Sequence, residues 1–479
     1  MASPFATLPQ EMIDSIIPYL TRTDLSSLSR TCKTVRVATV EALFKNITMT
    51  WKGNGESSPR DNEYRAVAAP PPRLDLLLRT IIQIPILAGY VSIVEFRAEG
   101  FQNQGRCLFL PSLPSPSKPH SELFVAALRE TEMPKSGEME TALKDNDLRS
   151  IVALFLMKCP RLATLTLDLD LLRRNRHISG ALAHALLAPQ TAKMAKLQYL
   201  TSLNVGADSE TNFSSVACRM RGLRYSLNIQ SYLPFLLSST VEEAEMNLPN
   251  AWEKEEELDK WPLITLGNAS SLKTLRLPNA TASPLIVGKV LAGTPNLVKL
   301  EYHFWFTPDE VLNGPTLSLS LKLIKNTLTY LKIKFQCYSS QVSLAIDDTR
   351  KSSFPLAFCL VGNLAARLKS PTSYLQTWSL FVFGTIVVYE IFEWHEKKLM
   401  RAFAVFIENE EWRKATPNLE SFNLSLFELD HCQNEGEEEW LPDVGVKELK
   451  VLCHRNRLRC RDIRPEFGTI VSFYGTSIQ

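Results

Sequence analysis

Residues 162–167 read Leu-Ala-Thr-Leu-Thr-Leu, and this short pattern decides the fold because it recurs along most of the chain. Apolar side chains stand at its first, fourth and sixth positions. Its last three residues alternate between apolar and polar, which is typical of a strand with one buried face. Clear further copies begin at Leu200, Leu272, Leu297, Leu328 and Leu419. Weaker copies begin at Val91, Val241, Leu375 and Val446.

From Leu162 onward the copies lie between 25 and 47 residues apart, which is the length that one strand and one helix need. The sequence therefore predicts an α/β fold in which parallel strands form one face and helices the other, as in a solenoid. We expect this body to cover residues 76–465, followed by a C-terminal tail at 466–479. A doubly wound sheet is the alternative, but it would have a Gly-rich phosphate turn after its first strand, and we find none in the sequence.

The recurring pattern resembles that of leucine-rich repeats, in an irregular form. The Asn or Cys that normally follows the strand is missing from its expected place, and the intervals exceed the usual short repeat. The resemblance implies an irregular solenoid whose exposed surface binds another protein. For residues 354–412, which interrupt the rhythm of the repeats, we predict no particular fold.

The chain begins differently, with a helical segment at residues 8–48 that contains no glycine and that we name the N-terminal cassette. Its first helix carries an apolar stripe and should end near Tyr19 and Leu20, because Pro18 disturbs the last turn. Thr23 or Asp24 is the expected N-cap of a second helix, and a third helix is expected over residues 34–44. Helices this short bury little surface. The excess of apolar residues therefore indicates either a binding partner or the cap of a larger fold.

Four short stretches of the N-terminal cassette resemble an F-box, the helical module that binds the adaptor Skp1 in cullin-RING ubiquitin ligases. They are Leu8-Pro9-Gln10-Glu11-Met12, residues 16–20, Asp24-Leu25 with Leu28, and residues 31–36. The sequence departs from the family at Val35, where Trp is frequent, and at Pro18. The resemblance implies a three-helix F-box over residues 1–50. It also implies that Skp1 contacts these positions: Leu8, Pro9, Ile16, Ile17, Leu20, Leu25 and Leu28.

Several polar stretches are expected to lie outside regular structure. Residues 51–75 are polar, include three consecutive prolines near their end, and should form a linker or exposed loop. Residues 111–120 contain several proline and serine residues, and residues 130–147 are largely polar, so we expect long loops there as well.

The sequence contains none of the motifs that would indicate catalysis, such as a P-loop, a nucleophile elbow or a zinc-protease helix. His431, Cys432, Cys453, His454 and Cys460 are of metal-binding types, but their spacing fits no standard zinc site. Buried thiols and surface imidazoles explain them better. We therefore expect a non-catalytic protein without a metal or cofactor.

One basic stretch is a candidate binding patch for an acidic or phosphorylated substrate. Arg455, Arg457, Arg459 and Arg461 alternate, so in an extended conformation they would share one face. Guanidinium groups bind carboxylates and phosphates through paired hydrogen bonds. The alternative is a solvated terminal segment, balanced by the acidic run at residues 435–439.

Bulk composition indicates a soluble intracellular protein. The 53 Lys and Arg residues against 51 Asp and Glu give a net charge of +2, so no overall field favours nucleic acid or an anionic membrane. Nine unpatterned cysteines are typical of reduced thiols. We expect no signal peptide, and the apolar run at 380–392 is too short for a bilayer, so the expected location is cytoplasmic, nuclear or both.

These observations lead to one expected function and two alternatives. The F-box would bind a Skp1-like adaptor and through it a cullin, while the repeat body would hold an unknown protein substrate of the ubiquitin ligase. The first alternative is a Skp1-binding scaffold without ligase activity. The second is an enzyme whose site is built from repeat loops.

Overall fold

The computed structural model confirms an α/β protein built from parallel strands and helices. The residues that it describes are 8–52, 72–99, 118–133, 136–168, 171, 176–187, 197–206, 240–248, 269–280, 282, 284–306, 320–321, 323–324, 326–337, 377–384, 421–428, 451, 458–463 and 469–475.

The helices are α1 (Gln10–Ile16), α2 (Arg22–Leu28), α3 (Lys33–Lys45), α4 (Leu74–Gln83), α5 (Lys118–Arg129), α6 (Gly137–Lys144), α7 (Leu148–Lys158), α8 (Arg176–Leu187) and α9 (Pro284–Ala292). Short 3-10 helices follow α1 at Ile17–Tyr19 and α4 at Pro85–Tyr90. The strands are β1 (Asn46–Lys52), β2 (Ile93–Glu99), β3 (Thr164–Leu167), β4 (Ser202–Val205), β5 (Glu243–Met246), β6 (Thr274–Ala280), β7 (Lys299–Phe306), β8 (Tyr330–Cys337), β9 (Thr377–Gly384), β10 (Ser421–Glu428), β11 (Leu458–Ile463) and β12 (Thr469–Gly475).

The chain divides into two compact units. Unit 1 comprises residues 1–246 and 255–266, and unit 2 comprises residues 247–254 and 267–479. In unit 1, strands β1 to β5 pair in parallel in chain order. In unit 2, strands β6 to β10 do the same, after which β12 and then β11 pair in antiparallel.

The sequence pattern predicted strands β2 to β10, and equivalent positions of the pattern pair with one another across the strands. Leu165 and Leu203 are register partners in unit 1, and Leu300 and Leu331 are partners in unit 2. All three apolar side chains are buried in each copy that begins at Val91, Leu162, Leu200, Val241, Leu272, Leu297 or Leu328. The buried positions therefore form continuous rows, and these rows fix the register because a one-residue slip would expose them.

The copy that begins at Val446 was predicted to be a strand, and this prediction is wrong at Val451, the one residue of the copy that the structure describes. Val451 is helical and exposed, and residues 446–450 lie outside the described residues. An alternating apolar pattern of three residues suits a helix face as well as a strand, so a weak copy does not discriminate between them.

Strand β1 was missed because it begins directly after α3, with no turn residue between them. Phe44, Ile47 and Met49 repeat the same pattern, and Ile47 and Met49 pair with Val94 and Phe96. The strand extends through residues 51 and 52, which were predicted to belong to the linker. Trp51 is fully buried, and its ring meets the ring of Phe96 edge-on, with 5.6 Å between the centroids.

Helices cover the face of the unit 1 strands that carries the apolar rows. Phe155 of α7 lies 5.6 Å from Phe96 of β2, ring centroid to ring centroid. The segment 151–157 of α7 is buried throughout, as expected for a helix with neighbours on all sides.

The loop predicted for residues 130–147 was wrong, because α6 occupies residues 137–144. Its Met139 and Leu143 are one helical turn apart and fully buried, so two apolar side chains are enough to hold a short polar helix against its neighbours. The helix ends where Asn146 takes a φ of 57°, and the Asp147 carboxylate then accepts a hydrogen bond from the Ser150 N–H at 3.1 Å to cap α7.

Candidate partner-binding surface

Helical structure at the start of the N-terminal cassette ends at Tyr19, as the sequence predicted, but its α-helical part stops three residues earlier. Helix α1 stops at Ile16, and Pro18 lies in the following 3-10 turn, which ends at Tyr19. The proline ring cannot continue an α-helix because it lacks the N–H and fixes φ. The chain is extended again at Leu20. The side chains that follow Ile16 are therefore presented on a turn rather than on a longer helix.

A capping box starts the second helix, two residues earlier than expected. Thr21 is the N-cap: the Asp24 N–H donates to its hydroxyl oxygen at 3.2 Å, and the Thr21 N–H donates to the Asp24 carboxylate at 3.0 Å. The hydrogen bonds from the Thr21 hydroxyl and the Thr21 N–H hold the pKa of Asp24 below its usual value. Asp24 thus acts at the third helical position instead of as the cap itself.

The cassette has a small core of its own. Ile13 of α1, Leu25 of α2 and Val35 of α3 are buried, and the buried Thr39 hydroxyl donates to the Val35 carbonyl at 2.9 Å. Helices α1 and α2 both pack against α3, and α3 also contacts the 3-10 turn Pro85–Tyr90. The inner side of the cassette is therefore closed by residues of unit 1.

The outer side of α1 remains apolar and exposed. Met12 is 49% exposed, and Tyr19, at the end of the following turn, is 88% exposed. Ile16 lies one helical turn after Met12 and is partly exposed, and Pro9 before the helix is exposed. These four residues, together with Leu8, form what we call the outer stripe. Exposed apolar side chains that lie close together on one surface are typical of a binding site.

The structure distributes the predicted Skp1-facing residues over two environments. Leu25 lies inside the core of the cassette, with only 7% of the residue exposed. Pro9 is exposed, and the remaining positions are partly exposed: Leu8, Ile16, Ile17, Leu20 and Leu28. Sequence reasoning did not select Met12 or Tyr19 for this surface. Met12 belongs to the apolar stripe of the first helix, so helical periodicity could have indicated it. The exposure of Tyr19 follows from the 3-10 turn.

The predicted arginine patch lies only partly within the described residues. Arg459 and Arg461 are on β11, where their register partners on β12 are Tyr474 and Ser472. Arg455 and Arg457 fall outside the described residues. Of the His and Cys cluster, Cys460 is on β11, and the other four members, His431, Cys432, Cys453 and His454, fall outside as well.

Comparison with known proteins adds no family to this description: the sequence matches no model of a known protein family, and a search of curated proteins finds no match. Within the described residues, none of the helices combines the length and the apolar character that crossing a membrane requires.

Proposed function

We propose that this protein is the substrate-recognition subunit of an SCF-type ubiquitin ligase. In this proposal the N-terminal cassette is an F-box that binds a Skp1-like adaptor. The repeat body, an irregular leucine-rich-repeat solenoid, binds a protein substrate. The chain would supply no reactive group. It would raise the local concentration of substrate lysines near the ubiquitin-loaded enzyme that the adaptor and cullin bring.

The observation that carries the proposal is the unmatched outer stripe of the cassette. The inner side of the cassette is closed by its own core and by the 3-10 turn Pro85–Tyr90, so packing of the fold does not account for the exposed Met12 and Tyr19. Burying one large apolar side chain contributes roughly 1.5–3 kcal/mol. Met12, Ile16 and Tyr19 could together anchor a stable interface in the way that clustered apolar and aromatic residues do.

The buried Leu25 has a supporting role in this proposal. It fixes α2 against the core of the cassette, so a change at Leu25 would disturb binding through the shape of the module rather than through a lost contact. The positions that we assign to direct contact are therefore the exposed and partly exposed ones, with Met12 and Tyr19 added to those carried over from the resemblance.

Co-purification with a Skp1-like adaptor tests the assignment. We expect Met12→Asp/Tyr19→Asp to weaken binding at least 100-fold, because two charges would be buried in an apolar interface. Both side chains are exposed, so the variant should unfold at nearly the same temperature as the wild type. The matched control is Tyr199→Asp, which introduces the same change at another exposed tyrosine of unit 1 and should retain full binding.

Full retention of the adaptor by a folded Met12→Asp/Tyr19→Asp variant would show that the outer stripe is not the docking surface. A loss of binding in Tyr199→Asp as well would indicate a general effect of added charge. The scaffold alternative shares the same docking surface and predicts the same result here, so it is separated from the ligase by ubiquitin transfer.

A further inference from the structure

The face of the unit 2 strands opposite the buried apolar rows carries a ladder of charges. Arg276 of β6, Glu301 of β7 and Lys332 of β8 are register partners on three successive strands. Arg276 Nε lies 3.6 Å from one oxygen of the Glu301 carboxylate, and Lys332 Nζ lies 3.6 Å from the other. All three side chains are partly exposed. The carboxylate thus lies between two cations on this face.

A second row beside the ladder adds a third cation. Lys299 of β7 pairs with Tyr330 of β8 in the register. Its Nζ lies 2.9 Å from the Glu301 carboxylate and 4.6 Å from the centroid of the Tyr330 ring. The ring and the carboxylate together fix the position of the Lys299 ammonium group. Because this group is already ordered, binding a ligand to it costs less conformational entropy.

The ionisation states on this face are well defined. Burial raises the pKa of Glu301, but the hydrogen bond from Lys299 and the charges of Lys332, Lys299 and Arg276 outweigh it and bring the pKa below its usual value. Burial, followed by the charge of Glu301, raises the pKa of Tyr330. At neutral pH the group therefore contains three cations, one carboxylate and a neutral phenol, an excess of positive charge.

This basic character belongs to the strands of unit 2 and is not a general property of the fold. The equivalent row of unit 1, read through its register partners, holds Thr48, Glu95, Thr166, Asn204 and Glu245. That row contains two carboxylates and no cation, and the cation nearest to it on β2, Arg97, forms an ion pair with Glu95. The net charge of +2 for the whole chain hides this difference between the units.

The chemistry of the group selects its ligand. Arg276, Lys299 and Lys332 extend from three neighbouring strands spaced about 4.8 Å apart, so an extended acidic peptide that crosses these strands can place its carboxylates near more than one cation. Glu301 contacts all three cations and keeps them in a fixed arrangement. Cations that are already assembled on one surface favour a ligand with several negative charges.

We propose that the surface formed by Arg276, Lys299, Glu301, Tyr330 and Lys332, which we call the basic strand face, binds an acidic segment of the protein substrate. This inference rests on the proposed function, since it names the substrate class that the repeat body selects.

Fluorescence anisotropy with the full-length chain tests the inference. The probe is a labelled ten-residue peptide of alternating Glu and Ser, compared with the same peptide carrying Gln for Glu. We expect Lys299→Gln/Lys332→Gln to weaken binding of the Glu peptide at least tenfold, and the Gln peptide to bind the wild type at least tenfold more weakly. The charge-matched control, Lys144→Gln/Lys289→Gln, removes two lysines from helices α6 and α9 and should change the affinity less than twofold.

Four results would overturn the inference. Equal affinity of wild type and Lys299→Gln/Lys332→Gln would remove the basic strand face as the site, and a loss of affinity confined to Arg459→Gln/Arg461→Gln would place the acidic site on β11 instead. Tighter binding of a ten-nucleotide DNA single strand than of the Glu peptide would identify a nucleic-acid surface. A marked gain in peptide affinity when the four glutamates of residues 253–257 are changed to Gln would identify the chain's own acidic run as the occupant.

The same variants separate this inference from the proposed function. Lys299→Gln/Lys332→Gln should still co-purify with the Skp1-like adaptor, and Met12→Asp/Tyr19→Asp should still bind the Glu peptide. Failure of adaptor binding with intact peptide binding would contradict the F-box assignment alone, whereas the reverse result would contradict the basic strand face alone.

Discussion

Asp75, in the first turn of α4, is a carboxylate that folding removes almost completely from water. Its side chain is 2% exposed, whereas that of Arg73 is 42% exposed. Arg73 binds it through two hydrogen bonds, from Nε at 2.8 Å and from Nη2 at 2.7 Å. Burial raises the pKa of Asp75, but the hydrogen bonds and charge of Arg73, with two backbone N–H groups, outweigh it and lower the pKa. This pair makes the stability of unit 1 depend on Arg73.

Replacing Arg73 alone should therefore lower the free energy of unfolding more than replacing both Arg73 and Asp75. We expect Arg73→Met to lower the free energy of unfolding by about 2–3 kcal/mol at pH 7, less than for a fully buried pair because Arg73 is partly solvated. The double variant Arg73→Met/Asp75→Leu should recover most of this loss, because no buried charge remains. Urea denaturation of the three proteins measures the difference, and equal stability of wild type and Arg73→Met would contradict the assigned role of the pair.

The pH dependence gives an independent check on the same pair. Because the pKa of Asp75 is lower in the folded protein than in the unfolded one, its stabilisation is complete above the unfolded pKa of about 3.9 and is lost as the pH falls through the folded pKa. The stability difference between wild type and Arg73→Met should therefore shrink as the pH is lowered from 7 towards 3.

At the scale of single elements, helix α9 shows how closely a buried helix can approach its neighbour. Ile286, Val287, Val290 and Leu291 of this helix are buried. A Cβ at Gly288 would lie 2.2 Å from Ser320 Oγ and 3.1 Å from Ser320 Cβ. A larger side chain at Gly288 would therefore require the Ser320 side chain to move or the helix to shift away from residue 320.

Gly288→Ala should consequently destabilise unit 2 by about 1–3 kcal/mol, the usual cost of overpacking. In the background of Ser320→Ala the same substitution should cost clearly less, because the closest atom, Oγ, is gone. Thermal unfolding of the four members of this cycle gives the coupling between the two residues. Gly89→Ala is the matched control, since a Cβ at that position meets nothing within 4 Å and should leave the melting temperature nearly unchanged.

At the scale of the whole molecule, the proposed adaptor and the proposed substrate would meet two kinds of surface. The outer stripe of the cassette in unit 1 is apolar, and the basic strand face in unit 2 is charged. Apolar surfaces bind through the area removed from water, and charged surfaces add selectivity and a dependence on salt. In the proposed function, the apolar surface would hold the constant adaptor and the charged surface would select the substrate.

Reconstituted ubiquitin transfer tests the combined proposal. With the Skp1-like adaptor, a cullin-RING module and a lysine-containing reporter fused to the Glu peptide, we expect ubiquitin on the reporter with wild-type chain. We expect at least tenfold less with either Met12→Asp/Tyr19→Asp or Lys299→Gln/Lys332→Gln. A reporter that is bound together with the adaptor but never modified would favour the scaffold alternative over the ligase.

Strands β2 to β10 and their register follow from the sequence alone. Leu165, Leu203, Leu300 and Leu331 each belong to a pattern whose period fixes which face is buried, and a pattern that recurs eight or more times averages out accidental matches. The sequence also determined that α1 cannot continue through Pro18, because that residue's effect is local. The sequence did not predict β1, because no turn residue separates it from α3, or α6, because that helix is short and largely polar.

Two features depend on tertiary packing and could not be predicted from the sequence. They are which apolar residues are exposed to a partner and which cations contact the same carboxylate. Leu25 and Met12 look equivalent in a helical pattern, yet Leu25 is buried where α2 packs against α3, whereas Met12 of α1 is exposed. Arg276, Lys299 and Lys332 come from three strands that are separated by long stretches of chain. Lys299 lies two residues before Glu301 on the same strand, but Arg276 and Lys332 flank Glu301 because parallel pairing places the same position of each strand side by side, a relation that no local pattern in the sequence contains.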